Sequence, residues 1–421
     1  MPRKHDLCQK SLGPVTSITG LSTVNCDGYH HLLCDPALPP EKDNSYHSPM
    51  SATLVPPVEA SRTPRSRSAG EPAKTTAVRP RPLQVTWEMT HACGWKAAPT
   101  RANARAPRDP RQCSTAEAFH LIDEVATMRV PLLALTGGDP FLRPDLLPII
   151  EYASSHSVRT SLTLLPTPTL DPAVVPELKA CGILRIAFWL HGSTPVLNDS
   201  HWGISGLHRR TLEMIGSCHE QQLPVGINTI VTRRNFHDID SMIELLTRLD
   251  VVLWNVFFFV PANRDDAANL LTAEEHEHVF SRLYAAGRHV HFQIKTTEGQ
   301  HYQRYLLQQR ARESRGRLTE LDVLNSPPKG VNDSKGFVFI NHHGEVYPSR
   351  FLPIVAGNVT AESLSDVYCD SELFASLRDS SRLKGKCGRC QVRNLCGGSR
   401  ARAFAMTGDL FAPDPCCAYE P

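Results

Sequence analysis

The sequence predicts an α/β fold, a partial (β/α)6 TIM-like barrel followed by a small cysteine-rich C-terminal domain. Three observations carry this. From residue 83 onward, short apolar β-branched runs alternate with longer amphipathic stretches, the pattern of parallel strands joined by crossover helices. Near the C-terminus Cys387, Cys390, Cys396 and Cys417 have the spacing C-x2-C-x5-C-x20-C. Before residue 81 the chain shows no sustained apolar period.

Residues 1–80 contain eleven of the 33 prolines among Ser, Thr and Arg, as in Ser61-Arg-Thr-Pro-Arg-Ser-Arg-Ser68. Such a stretch cannot bury enough apolar surface to order itself, so a disordered tail is expected. Cys8, Cys26 and Cys34, with His5, His30 and His31, have irregular gaps that argue against a metal site. Asp6, Asp27, Asp35, Glu41 and Asp43 argue against an acid-poor transit peptide.

Strands are expected at 83–89, 132–135, 158–165, 183–190, 225–231 and 251–260, with helices at 114–128, 145–156, 172–180, 209–222 and 236–249. Strand–helix–strand repeats with buried β-branched runs imply parallel pairing through right-handed crossovers. Six units favour an open barrel over 81–310, although periodicity alone leaves a flat sheet open. In either architecture ligands bind at the carboxyl ends of the strands. Residues 311–335 are charged and proline-broken (Asn325-Ser-Pro-Pro-Lys329), which reads as a linker or lid. Residues 336–421 form the cysteine-rich domain. Lys295, Glu298 and His301 follow an apolar run and are candidates for lining a pocket.

With 45 Lys and Arg against 43 Asp and Glu, no global field draws the chain to nucleic acid or an anionic membrane. The apolar run at 251–261 is about half the length of a spanning helix. A cytoplasmic protein with small-molecule or protein partners is expected. In a reducing compartment the 13 cysteines favour metal sites over disulfides.

Two motifs carry chemistry. Four thiolates at this spacing select a soft metal, an iron–sulfur cluster or zinc, and Lys384, Lys386, Arg389 and Arg393 would offset their charge. Cys416 competes with Cys417 for the fourth place. After the second strand stands Thr136-Gly137-Gly138-Asp139-Pro140. Its glycines permit close approach to the backbone, and Asp139 can accept from a ligand ammonium or act as a local cap.

In this order the features resemble radical S-adenosylmethionine enzymes with a SPASM domain, over about residues 81–421. The resemblance extends to Leu135-Thr-Gly-Gly-Asp-Pro140, Val231-Thr-Arg-Arg-Asn235, Ile294-Lys-Thr-Thr-Glu298, Gly344-Glu-Val-Tyr-Pro348 and Cys396-Gly-Gly-Ser-Arg-Ala-Arg402. It implies a 4Fe-4S cluster held by a C-x3-C-x2-C loop after the first strand, with S-adenosylmethionine chelated by the open iron. It also implies that the turn at Gly137, Gly138 and Asp139 supports the methionine amino group. An auxiliary 4Fe-4S cluster at Cys387, Cys390, Cys396 and Cys417 follows, with zinc as the alternative. The implied partner is a peptide or a small-molecule cofactor precursor, modified by an oxidoreductase.

The chain departs from this pattern at the loop His91-Ala-Cys93-Gly-Trp-Lys-Ala97-Ala-Pro-Thr100. Cys93 matches the first ligand, but Ala97 and Thr100 replace the other two, and neither a methyl nor a neutral hydroxyl substitutes for thiolate. Cys113 lies beyond the loop spacing and reads as an isolated thiol before a helix cap. His191-Gly192 and Trp202-Gly203 stand where relatives often carry Asp-Gly and Arg-Gly, while Ser349 and Arg400 stand where fuller SPASM modules carry cysteine. The radical-generating site is therefore expected to be lost. A noncatalytic descendant that binds substrate or a partner is the alternative reading.

Overall fold

The computed structural model describes residues 79–93, 109–167, 170–262, 265–313, 332–333 and 335–421. The expected tail up to residue 78, loop positions Ala97 and Thr100, and most of the linker or lid at 314–331 lie outside these residues. Everything described belongs to one compact unit, Lys74–Pro421.

Seven parallel strands lie side by side in chain order: β1 (Gln84–Glu88), β2 (Leu133–Thr136), β3 (Thr160–Leu164), β4 (Arg185–Trp189), β5 (Val225–Val231), β6 (Leu253–Phe258) and β7 (Gln293–Thr297). The six expected strands are present with ends shifted by at most two residues, and β7 adds a seventh. Between them run α1 (Thr115–Thr127), α2 (Leu146–Ser155), α3 (Val175–Ala180), α4 (Pro195–Trp202), α5 (Leu207–Glu220), α6 (Ile239–Arg248) and α7 (Ala273–Ala286). Helix α8 (His301–Glu313) follows β7 and extends into the stretch expected to be linker. Local chemistry sets the helix starts. Ser114 with Glu117 opens α1 and Thr272 with Glu275 opens α7, each as a reciprocal capping box.

The strand faces differ. Val85, Trp87, Ile186, Phe188, Trp254 and Val256 are fully buried in one apolar core with the helix residues Leu121, Ile149, Met214 and Phe280. Their alternates Gln84, Thr86, Arg185, Trp189, Asn255, Phe257, Lys295 and Thr297 are only part-buried and largely polar. This second face is the inside of a curled sheet. Lys295 Nζ on β7 donates to Gln84 Oε1 on β1 at 3.1 Å, although the two strands stand six places apart in the sheet. Six flat strand spacings would separate them by about 29 Å. The open barrel, rather than the flat sheet, is the architecture.

The C-terminal module continues the same sheet. β9 (Gly336–Ile340) pairs in parallel with β1, Gln84 opposite Phe337 and Trp87 opposite Ile340, and the short β8 (Asn332–Asp333) lies beside β9. β10 (Glu345–Tyr347) and β11 (Gly357–Asn358) add antiparallel strands. Helices α9 (Leu364–Asp370), α10 (Glu372–Arg378), α11 (Gly385–Arg389) and α12 (Arg400–Thr407) complete the module. Cys369 on α9 donates its S–H to the Pro80 carbonyl, a packing role.

Candidate metal centre and barrel mouth

The C-terminal thiols converge. Cys387 lies on α11, Cys390 caps that helix, Cys396 follows in the next turn, and Cys417 returns from the chain end; all four line one cavity together with His301 and Arg304. The Gly398 N–H points at Cys396 Sγ and the Asp414 N–H at Cys387 Sγ, both at 3.4 Å. Gly397 and Gly398 both have φ of +68°, a left-handed turn that directs the Gly398 N–H onto the sulfur. Burial pushes the Cys387, Cys396 and Cys417 thiols above their usual range. Thiols so buried keep their protons unless a metal replaces them.

Cys416 behaves differently. Its Sγ donates to the Leu271 carbonyl at 3.6 Å, it does not line the cavity, and burial pushes it up to about 11. Cations border the cavity: Lys386 Nζ bonds the Cys417 carbonyl at 2.6 Å, and Arg400 Nη2 lies 4.0 Å from Cys387 Sγ. Among the described residues, the groups of three or more ligand atoms within 4.8 Å of one another are Glu88–His91–His342 and Asp109–His342–His343. The cage thiols are not so tight, whereas a tetrahedral zinc with Zn–S of about 2.3 Å would hold its sulfurs about 3.8 Å apart.

A buried polar network supports the cavity. Arg402 and Asp414 are both fully buried and paired through Nη2–Oδ2 at 2.9 Å and Nε–Oδ1 at 3.0 Å. Burial pushes the Asp414 carboxyl up, but the Arg402 charge and hydrogen bonds outweigh it and hold the group well below the carboxylate range. Glu298 accepts from Ser349 Oγ at 2.7 Å and Ser399 Oγ at 2.5 Å, and its carbonyl accepts from Arg402. Arg400 donates to the Leu410 and Ala412 carbonyls. Thus Ser349 and Arg400, where fuller modules carry cysteine, are committed to polar contacts. His301 is fully buried, and burial pushes its ring well below the usual histidine range. Sequence reasoning missed Arg402, Asp414 and His276, whose residue types carry no spacing signal.

At the barrel mouth the glycine turn is used by the chain itself. A Cβ at Gly137 would lie 2.6 Å from the Thr90 carbonyl oxygen, and one at Gly138 would lie 2.2 Å from that of Ala92. Gly138 N–H bonds Thr90 O at 2.9 Å and Asp139 N–H bonds Ala92 O at 2.7 Å. The close approach foreseen for a ligand is made here by the strand-end segment leading to buried Cys93. Asp139 accepts from the Phe141 N–H at 3.1 Å and from Thr167 Oγ1 at 3.3 Å, so it caps the following turn. Cys113 sits in the apolar core, and burial pushes its thiol up to about 11.

Beside Cys93, the Glu88 carboxylate contacts His342 Nδ1 at 3.4 Å and Arg350 Nη2 at 3.3 Å. Burial opposes its charge, but His342, His91 and Arg350 together hold it well below the carboxylate range. His191 accepts from the Ile230 N–H at Nδ1, 3.0 Å, which leaves the proton on Nε2, where it finds no partner among the described residues. Its ring packs on His201 at 3.9 Å and Trp202 at 5.0 Å. Trp189 and Phe257, 5.2 Å apart, and Phe351, 6.3 Å from Phe257, build an aromatic wall on the inner face.

Residues 90–246 match the family model of the radical SAM superfamily, and residues 333–391 match that of SPASM, the iron–sulfur cluster-binding domain. An AdoMet-dependent heme synthase of Methanosarcina barkeri is 33% identical over 340 residues, 81% of this chain and 97% of that protein. A PqqA peptide cyclase of Rhodopseudomonas palustris is 25% identical, covering 84% of this chain and 90% of that protein. Streptococcus suis SuiB bound to S-adenosylmethionine shares the fold, with a TM-score of 0.61 at 14% identity over 80% of this chain and 78% of its own. Among the described residues no helix is long and apolar enough to cross a membrane. The chain belongs to the radical SAM superfamily and carries its SPASM module, domains that imply 4Fe-4S clusters and S-adenosylmethionine as cofactors.

Proposed function

We propose that this chain is an iron–sulfur protein that holds one 4Fe-4S cluster on Cys387, Cys390, Cys396 and Cys417 and receives a heme-type cofactor precursor in its barrel. In this reading residues 81–310 are the binding barrel, 336–421 the cluster module, 311–335 a linker or lid, and 1–80 a tail. The observation that carries the cluster assignment is the convergence of four thiols, with two backbone N–H donors, on one cavity. The donor set fits the group, which would supply one-electron chemistry beside the barrel. Cys416 is left out because its S–H faces the Leu271 carbonyl.

For the precursor, the part-buried aromatic wall of Trp189, Phe257 and Phe351 offers flat apolar surface, to which a planar conjugated macrocycle can stack. The likeness to the heme synthase spans nearly that whole protein and exceeds the likeness to the peptide cyclase. Both relatives leave the coarser class, peptide or cofactor precursor, as the common ground.

The radical-cluster loop does not fit its group. Cys93 is the one cysteine at the three ligand positions, with Ala97 and Thr100 at the others, so no step is derived through that cluster. Gly137, Gly138 and Asp139 keep the turn that would support an amino group, although Asp139 is already engaged as a cap. The test is cleavage of S-adenosylmethionine under dithionite. The unmodified chain should give no 5′-deoxyadenosine above background, and Ala97→Cys with Thr100→Cys should raise iron by about one cluster, four irons. Efficient cleavage by the unmodified chain would overturn the loss. Heme added to the chain should quench tryptophan fluorescence; quenching unaffected by Phe257→Ala would count against the barrel as its site.

A further inference from the structure

His301 is at odds with its surroundings. It is 0% exposed, yet neither ring nitrogen makes a hydrogen bond among the described residues. Buried polar atoms in native proteins almost always have partners, and an exception points to a bound group, an ordered water or a functional role. Its ring is walled by Phe280 at 4.7 Å and His276 at 5.0 Å, and it lines the thiol cavity.

The protein alternatives are weak. Asp414 Oδ2 is 3.8 Å from His301 Nδ1, too far for a hydrogen bond. That carboxylate is also saturated. It accepts from Ser399 N at 2.9 Å, Arg402 Nη2 at 2.9 Å, Arg402 Nε at 3.0 Å and Cys416 N at 3.0 Å, filling the four or so acceptor positions it offers. His276 is the second alternative. Its Nδ1 lies 2.9 Å from the Thr272 carbonyl, which can only accept, so its Nε2 is a bare acceptor; that atom too has no partner, and no bond to His301 forms.

We infer that His301 donates its ring N–H to the iron–sulfur centre in the Cys387–Cys390–Cys396–Cys417 cavity and thereby raises the reduction potential of that centre. The inference rests on the cluster assignment proposed above. A hydrogen bond to cluster or cysteine sulfur stabilises the reduced, more negative state more than the oxidised one, which is how such bonds tune potential. The role is one of positioning and tuning, since the four thiols already account for four irons.

The test is a redox titration, followed by electron paramagnetic resonance, of the reconstituted full chain. His301→Phe should lower the midpoint potential, a tenfold loss in relative stability of the reduced state reading as about 59 mV for one electron. His301→Gln, which keeps a donor, should recover part of the shift. An unchanged midpoint in His301→Phe with an intact cluster signal overturns the role. If that variant assembles no cluster, double-resonance spectra of the reduced unmodified chain decide. An exchangeable proton and weakly coupled histidine nitrogen support the hydrogen bond; neither, or a strongly coupled nitrogen bound to iron, overturns it. An unmodified chain that assembles no cluster would instead sink the parent assignment, and this inference with it.

Discussion

The barrel mouth and the C-terminal cavity both place cysteine at a ligand position of the family, one in the first case and four in the second. At the cavity all four thiols are present and face one opening. At the mouth one cysteine of three remains, yet the scaffold around it is intact: Gly137 and Gly138 still clasp Thr90 and Ala92, and Asp139 still caps its turn. The turn is held by its own hydrogen bonds and by the absence of two Cβ atoms.

The largest effect should come from the ligands. Cys387→Ala or Cys390→Ala should remove most of the about four irons of the reconstituted chain, whereas Cys93→Ala should leave iron content unchanged; equal losses from both regions, measured by iron assay, would break the contrast. Within the cavity, Cys417→Ser should lose most of its iron and Cys416→Ser should keep nearly all of it. The reverse ranking would assign the fourth thiolate to the residue that now faces Leu271.

The cavity also depends on the ion pair beneath it. Arg402→Met strands the Asp414 charge in a fully buried place and should lower unfolding stability by about 3–5 kcal/mol in urea titrations. Arg79→Met, which removes the exposed pairing with Asp366, should leave the unfolding midpoint nearly unchanged, because solvent screens that pair. Similar losses would mean that burial is not what makes the pair matter.

The barrel interior supplies an effect that depends on pH. Burial, with the Arg185 charge as a second cause, lowers the Lys295 ammonium to about 8, against about 10.4 in the unfolded chain. Between these values the unfolded state binds more protons, so stability rises with pH across that window. Lys295→Met should therefore raise the melting temperature by a few degrees at pH 7, with the advantage shrinking from pH 8 to pH 10. A pH-independent difference would mean that Lys295 acts through packing alone.

The strands of the barrel were legible because their buried faces are continuous apolar runs such as Val225–Val231. β7 was harder to read: Gln293, Lys295 and Thr297 face the polar interior and only Ile294 signals a strand. Helix α4 is short and mostly polar, so it gave no apolar period. Cysteine spacing located the cavity, but it could not choose between Cys416 and Cys417, adjacent thiols that differ only in the direction their side chains take. Arg402 and Asp414 lie 12 residues apart, and His276, packed on His301, joins them from an earlier helix only after folding. The glycine turn was legible as a close approach, and only the fold showed what approaches it.

The pairing of β1 with β9 carries a consequence in time. Gln84 leaves the ribosome about 250 residues before its partner Phe337, an interval on the order of 10–50 s at usual synthesis rates. Until then one side of β1 has no strand to bond, although β2 can already cover the other. A nascent barrel therefore carries an open strand edge, the feature most prone to pair with a neighbouring chain, and it is closed from within by the segment made near the end. The cysteine-rich module thus completes the pairing of the barrel's first strand, and the two share one sheet rather than standing as independent beads.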